Sequence, residues 1–176
     1  MRVCVGGTSG SGKSTFARRL AEARGIPFIE LDLLNWGPGW YDRTRHAPEE
    51  FRARVDEATS APAWTLAGNY RVVRALTWGR ASHGVWLDLP RALVMRQVIA
   101  RSLHRAFSGE DVFPGCREDV FRLFRKDHPI RFAWDTYATR RAQYEALFAD
   151  PAYVHVAKIR CRSRAEAESA LKALST

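Results

Sequence analysis

Arg2-Val3-Cys4-Val5-Gly6-Gly7-Thr8-Ser9-Gly10-Ser11-Gly12-Lys13-Ser14-Thr15 passes from a short apolar run through glycines into a Lys-Ser pair. Gly7 to Ser14 satisfies G-x-x-x-x-G-K-[ST] without a mismatch. The apolar run suits a buried parallel strand. A helix is expected from Lys13 to about Arg24, with Phe16, Leu20 and Ala23 sharing one face and Gly25 closing it. Strand, glycine loop and helix in that order are the context in which the motif binds phosphate. The glycines let backbone N–H groups turn inward around phosphate oxygens, and the helix N-terminus adds positive potential. Lys13 would neutralise the transferring phosphate, and the Ser14 hydroxyl would ligate Mg²⁺. Gly7, Thr8, Ser9, Gly10, Ser11, Gly12, Lys13, Ser14 and Thr15 are therefore read as an ATP and Mg²⁺ site. The competing reading is a glycine-rich turn that happens to contain Lys-Ser, and the loop is silent about the acceptor.

Working outward, Pro27 to Leu31 reads as a second strand with Asp32 at its carboxyl end, and Pro48 opens a helix carrying Phe51 and Val55. Trp64 to Ala67 and Val85 to Leu89 are further strand candidates, and Pro90 starts a helix through roughly Ala106. From Ser108 to Asp127 the pattern weakens, apart from a short helical stretch around Val120 to Phe124. A helix over about Phe132 to Phe148, a strand over Tyr153 to Ile159 and a final helix opened by Ser163 and Glu166 in capping-box spacing complete the chain. Strands alternating with helices predict an α/β fold, a three-layer α/β/α sandwich around a parallel sheet. We expect one domain over residues 1–176, with a lid insertion at about 108–127.

The bulk numbers agree with this. A chain of 176 residues, 46% hydrophobic and 27% charged, is an ordinary soluble globular domain. No apolar run approaches the roughly 20 residues of a membrane-spanning helix. Met1-Arg2 leads straight into a strand, so no signal peptide is expected. Cys4, Cys116 and Cys161 form neither a disulfide framework nor a metal knuckle, which suits a reducing cytoplasm. The charge of +9, from 28 basic against 19 acidic residues, fits either nucleic acid or a polyphosphate held by arginine forks.

On the acceptor side, Asp32 stands where open parallel sheets place ligand groups. It suits a water-mediated Mg²⁺ ligand or an acceptor of an attacking hydroxyl's hydrogen bond, and otherwise a turn cap. Trp36 and Trp40 flank Gly37-Pro38-Gly39 and either stack on a planar substrate or fill a core. Gly68-Asn69-Tyr70-Arg71 follows the third strand, with a glycine for close approach and donors in Asn69 and Arg71. Asp88 is read as a cap for the helix from Pro90. Arg101 and Arg105 lie one helical turn apart, and Arg96 is close to their side. With Arg117, Arg122, Arg125, Lys126, Arg131, Arg140 and Arg141 they bracket the low-periodicity segment, an arrangement suited to a lid closing on phosphates.

These residues together resemble the adenylate-kinase-like P-loop kinases, and more narrowly the bacterial DNA topology modulation (FlaR-like) group. The resemblance rests on Gly7 to Thr15, Leu31-Asp32 with Trp36-x-Pro38-Gly39-Trp40, and Gly68-Asn69-Tyr70. It continues through Leu87-Asp88-Leu89-Pro90-Arg91, Arg96, Arg101, Gly115-Cys116-Arg117-Glu118 and the stretch Arg160 to Ser163. It implies a P-loop NTPase with a five-stranded parallel core and a small helical lid, using ATP and Mg²⁺ to phosphorylate a small acceptor, with nucleosides and nucleotides among the candidates. By the same resemblance Arg101 would stack on adenine while Arg105 and Arg140 reach phosphates. The expected catalytic set is Lys13, Asp32, Arg101, Arg105 and Arg140, with Ser14 and Asp32 toward the metal. One departure is Ala67, where the group usually carries an acid. Two alternatives stand beside the kinase: a nucleic-acid-associated ATPase and a nucleotide-binding regulator of low turnover. No zinc, helix-turn-helix or single-strand-binding signature supports nucleic acid, so the kinase leads.

Overall fold

The computed structural model describes residues 1–108, 111–117 and 129–176. Five strands form one parallel sheet: β1 (Arg2–Gly7), β2 (Phe28–Glu30), β5 (Trp64–Ala67), β6 (His83–Leu87) and β9 (Ala157–Cys161), in the order β2-β5-β1-β6-β9. Between β2 and β5 lie a short helix α2 (Leu31–Asn35), a two-residue ladder of β3 (Trp36–Gly37) with β4 (Tyr41–Asp42), and helices α3 (Arg43–His46) and α4 (Pro48–Ala58). The remaining helices are α1 (Lys13–Arg24), α5 (Arg74–Arg80), α6 (Arg91–Ser108), α7 (Pro129–Ala149) and α8 (Arg164–Ser175). A hairpin of β7 (Asp111–Phe113) and β8 (Cys116–Arg117) follows α6. Among the described residues no helix is long and apolar enough to cross a membrane.

The sheet is buried on both faces because its strands alternate between two sets of apolar side chains. Val3, Val5, Ala67, Val85 and Leu87 join Phe16, Ala17 and Leu20 of α1, Val94 and Val98 of α6, and Leu171 and Leu174 of α8. Cys4, Leu66 and Trp86 point the other way, onto Phe51 and Val55 of α4, Trp78 of α5, and Tyr144 and Leu147 of α7. That is a three-layer α/β/α sandwich, as expected. Within α1 the buried stripe is Phe16, Ala17, Leu20 and Ala21, while Ala23 faces solvent. Gly25 ends this helix in the left-handed conformation with its N–H on the Ala21 and Glu22 carbonyls.

Some boundaries differ from expectation. β2 stops at Glu30, and Asp32 lies in the first turn of α2 rather than at a strand end. Pro151–Tyr153 forms a 3₁₀ turn, so the last strand starts at Ala157. Ser163 caps α8 as read, accepting from the Glu166 N–H at 3.1 Å, while Glu166 reaches back to the N–H of Arg162 at 2.8 Å. Within the 108–127 segment, Ser108 ends α6 and residues 111–117 form a β-hairpin. Residues 109–110 and 118–127, with the stretch Val120 to Phe124, Arg122, Arg125 and Lys126, lie outside the described residues.

Tight layer contact makes one glycine diagnostic. A Cβ on Gly84 in β6 would sit 2.7 Å from Trp78 Cη2, and Trp78 is buried against Phe148 and Tyr153. Gly84→Ala is expected to destabilise the fold by about 1–3 kcal/mol through overpacking. The check is a lower denaturant midpoint at unchanged slope.

Candidate functional site

The loop after β1 is a backbone cradle. α1 starts at Lys13 with Gly12 as its left-handed N-cap (φ 90°, ψ 13°); no side chain caps it and its first turn holds no acid. Its leading N–H groups therefore face outward at the positive end of the helix dipole. A Cβ on Gly12 would meet nothing within 4 Å, so the mouth is open. Behind the loop, a Cβ on Gly10 would lie 2.1 Å from Val98 Cγ2 of α6. Gln97, one residue earlier, donates to the Gly10 carbonyl at 2.7 Å and accepts from Arg164 at 3.0 Å. Ser11 is buried with no hydrogen-bond partner for its hydroxyl. Tyr144 of α7 closes the other side, stacked on Trp86 at 5.6 Å and packed so close that a Cβ on Gly6 would sit 2.3 Å from its ring. Burial pushes its phenol up to about 12. These features fit an anion of several oxygens, as a triphosphate presents.

A cleft of about 550 Å³ opens from this cradle, at the carboxyl ends of β1, β2 and β5. Its wall carries Gly7, Ser9 and Lys13 from the loop, Asp32 and Trp36 from the segment after β2, and Asn69, Tyr70 and Arg71 from the turn after β5. α7 adds Arg140. The Tyr70 hydroxyl donates to Asp32 Oδ1 at 2.6 Å, tying the two strand-end segments together. Burial, the Asp32 charge and this bond hold the Tyr70 phenol far above its ordinary range, so it remains a donor. Asn35, fully buried, accepts from the Thr44 N–H at 2.8 Å and pins the loop that presents Trp36.

The structure thus gathers most of the residues picked out by sequence. Gly68 lies just outside, with a Cβ there only 2.6 Å from that of Leu31, which is why the turn needs glycine at φ +141°. Trp40 stands back from the cleft, edge-on to Trp36 at 5.6 Å, and is 38% exposed. Thr15 is exposed, and Arg101, half-buried on α6, is absent from the cleft wall. The side chains of Arg105 and Arg117 lie outside what the structure describes. Asp88 is not a simple cap: it is buried and receives Arg160 at 2.6 Å and Arg141 at 3.0 Å. This network holds α7 to β6 and β9 one residue from Arg140.

Sequence reading missed Glu30, Thr44, Val72 and Phe132. Glu30 is the consequential one. It ends β2 directly opposite Ala67 in the β2–β5 register, and its Oε1 is buried without a hydrogen-bond partner. Burial pushes its carboxyl above the usual range and the Asp32 charge adds to this; the Ser14 hydroxyl beside it, Lys13 and Arg18 pull the other way. The signal was present in Glu30-Leu31-Asp32, two acids at alternate positions after an apolar strand. A hydroxyl and carboxylates suit a hard, oxygen-liganded cation. Among the described residues no cluster of three or more His, Cys, Asp or Glu would hold a metal by itself. A cation here would therefore need phosphate oxygens as further ligands, which is the usual habit of Mg²⁺.

Sheet order, cradle and cleft decide the fold. This is a P-loop NTPase fold. No protein-family profile matches the sequence, and no curated protein does. Solved structures do. A gluconokinase from Sinorhizobium meliloti 1021 is 20% identical over 99% of this chain and 93% of its own, with a TM-score of 0.53. Shikimate kinase from Acinetobacter baumannii, in complex with shikimate, is 18% identical over 98% and 90%, with a TM-score of 0.54. A sugar kinase from Janibacter sp. HTCC2649 is 20% identical over 99% and 98%, with a TM-score of 0.54. At such identities the likeness is one of fold.

Proposed function

We propose that the protein is an ATP-dependent small-molecule kinase that transfers the γ-phosphoryl group to a hydroxyl. The observation that carries this is Asp32, held by Tyr70 in the same cleft as Lys13. With Oδ1 engaged, the other carboxylate oxygen of Asp32 is left to accept the proton of an acceptor hydroxyl. The new bond joins the acceptor's hydroxyl oxygen to the γ-phosphorus, the hydroxyl proton passes to the Asp32 carboxylate, the bond to the β–γ bridging oxygen breaks, and ADP leaves. Lys13 and Arg140 place positive charge where negative charge spreads during transfer. Ser14, Glu30 and Asp32 would hold Mg²⁺, which when bound neutralises the phosphate oxygens. Glu30 answers the departure at Ala67, because it supplies a carboxylate across the strand pair from the alanine.

A hydroxyl acceptor suits this cleft better than a phosphate acceptor. A carboxylate beside the reacting group repels a second phosphate but assists a neutral hydroxyl. Arg71, exposed on the rim, makes no ion pair among the described residues, so an acceptor carrying its own negative group would meet a cation there. The structural neighbours that are gluconokinase, shikimate kinase and sugar kinase agree with a small polar acceptor. The narrower likeness, to the topology modulation group, is supported by Trp36 and Asn69-Tyr70, one part of each of its two motif elements, lining the same cleft. We read the chain as a single domain with its lid at about 108–127.

The direct test incubates the protein with γ-labelled ATP, Mg²⁺ and a panel of sugars, sugar acids, hydroxy acids, nucleosides and nucleotides. A labelled phosphate ester on a hydroxyl is the expected product; label only in inorganic phosphate, with every acceptor, would exclude a kinase of these compounds. Arg71→Ala is expected to raise KM for an anionic acceptor roughly tenfold or more, as loss of a charge-assisted hydrogen bond does. KM for ATP should stay at the parental value in the same assay.

A further inference from the structure

Arg140 shares the cleft wall with Ser9 and Lys13, but α7 carries it, so its place depends on how that helix is seated. Side chains four apart share a helix face, and one turn on from Arg140 stands Tyr144. Tyr144 is 3% exposed and lies against the end of β1. A Cβ on Gly6 would sit 2.3 Å from Tyr144 Cε1 and 2.5 Å from its hydroxyl oxygen. Gly6 does not have a positive φ, so its backbone would accept a side chain and the tyrosine ring is what excludes one. The bare Cα of Gly6 is the notch into which the ring fits.

The ring has no room to retreat. It is stacked on Trp86 at 5.6 Å with 20° between the planes, and the Arg160 guanidinium lies over the Trp86 ring at 4.1 Å. Trp86 is itself buried. Burial raises the Tyr144 phenol, while a hydrogen bond from the Gly7 backbone and the nearby Arg140 and Arg74 charges pull the other way. One side chain therefore meets both the first glycine of the phosphate loop and the field of Arg140.

Other ties hold α7 less closely. Arg141 pairs with Asp88 at 3.0 Å through a long side chain that is 46% exposed. The Tyr137 hydroxyl donates to the Leu89 carbonyl at 2.9 Å, and Lys158 Nζ donates to the Phe148 carbonyl at 2.8 Å near the end of the helix. Such flexible or terminal contacts can follow a helix that shifts, whereas a close-packed ring cannot. A slip of one residue would move α7 by about 1.5 Å along its axis and turn it by about 100°, enough to take Arg140 off the wall.

We propose that Tyr144 and Gly6 act as key and notch, setting the height and rotation of α7, and are positioning residues for Arg140 and through it for the γ-phosphate. This rests on the reading of the cleft as a kinase site. Its consequence is that the preference for a nucleoside triphosphate over the diphosphate depends on a packing contact behind the loop.

The experiment uses the full chain with Mg²⁺ and no acceptor. Calorimetry measures the affinity for the β,γ-imido analogue of ATP and for ADP, and the ratio of the two is the quantity read. The parent is expected to favour the analogue, and Arg140→Ala to lower that ratio roughly tenfold, as loss of a charge-assisted hydrogen bond does. Tyr144→Leu empties the notch and should lower the ratio by about fivefold or more, with ADP affinity within about threefold of the parent, because the charge is displaced and the cradle is not. In the Arg140→Ala background Tyr144→Leu should change the ratio no further, since the two act through one group. Gly6→Ala displaces the ring from the other side and should repeat the loss, so the test stands even if Tyr144→Leu does not fold. Tyr144→Phe keeps the ring in the notch and should keep the ratio within about threefold. A parental ratio in both Tyr144→Leu and Gly6→Ala would overturn the key alone, as would an equal further loss in the Arg140→Ala background. A loss shared equally by ADP would overturn it too, by placing the effect in the loop. Absence of binding of either nucleotide by the parent would overturn the kinase reading and the key with it.

Discussion

Lys13→Ala is expected to lower phosphoryl transfer by roughly 10²–10³-fold, the scale seen when one preorganised charge-stabilising donor is removed. The loss should fall mainly on kcat. On the proposed reading, binding of the triphosphate would rest on the backbone N–H groups around Gly10 and Gly12 and on the uncapped start of α1, none of which the substitution touches. Lys13 counts for more in the transition state, where charge spreads over the transferring group and its bridging oxygen. The fold should be unaffected. Lys13 stands at the first position of α1 with its side chain on the cleft wall, and alanine is the best helix former. Steady-state kinetics with a thermal melt make the check. Parental turnover in the variant would mean that the chemistry lies elsewhere than the phosphate loop. A collapsed melting temperature would mean that Lys13 holds structure.

The phosphate loop was legible because everything it needs is local. Strand, glycines, Lys-Ser and helix are contiguous in the chain and in the fold. Alternating apolar strands and helices made the layer architecture readable for the same reason. The features that escaped depend on partners far along the chain. Asp88 looked like a cap because its neighbour is Pro90; Arg141 and Arg160, its actual partners, come from α7 and β9. The β7–β8 hairpin is too short to announce itself by periodicity, and its partners lie on the loop around Gly37 and Gly39. Helix α5 carries a buried Trp78 in a sequence of mixed propensity, and tertiary burial rather than local preference decides its state. Glu30 was passed over as a strand residue, since nothing in a single strand says that its neighbour across the sheet is Ala67. Asp32 was picked for the right neighbourhood on slightly wrong grounds. It reaches the cleft from the first turn of a short helix, after the strand has ended.

That placement shapes what removing the Asp32 charge should do. Asp32→Asn keeps the side-chain size and can still accept the Tyr70 hydroxyl through its amide oxygen, so the link between the two strand-end segments survives. Two things are lost: an oxygen able to take a proton, and a negative charge on the cleft wall that also carries Lys13. The expected result is a fall in kcat of roughly 10²–10⁴-fold, the range for loss of a positioned general base. ATP affinity should be little changed, because the cradle is intact. Titrating Mg²⁺ in the same variant separates the two roles. If Asp32 serves the acceptor hydroxyl, the deficit persists at every Mg²⁺ concentration. If it serves the metal, raising Mg²⁺ recovers turnover and the apparent Mg²⁺ requirement moves upward. Tyr70→Phe is the companion measurement: it leaves the carboxylate in place but frees it to rotate, so it should give a smaller loss in kcat than Asp32→Asn. An unchanged kcat in Asp32→Asn would leave Asp32 as a tie between the β2 and β5 ends, and the transferred group would have to meet its acceptor without a base from this segment.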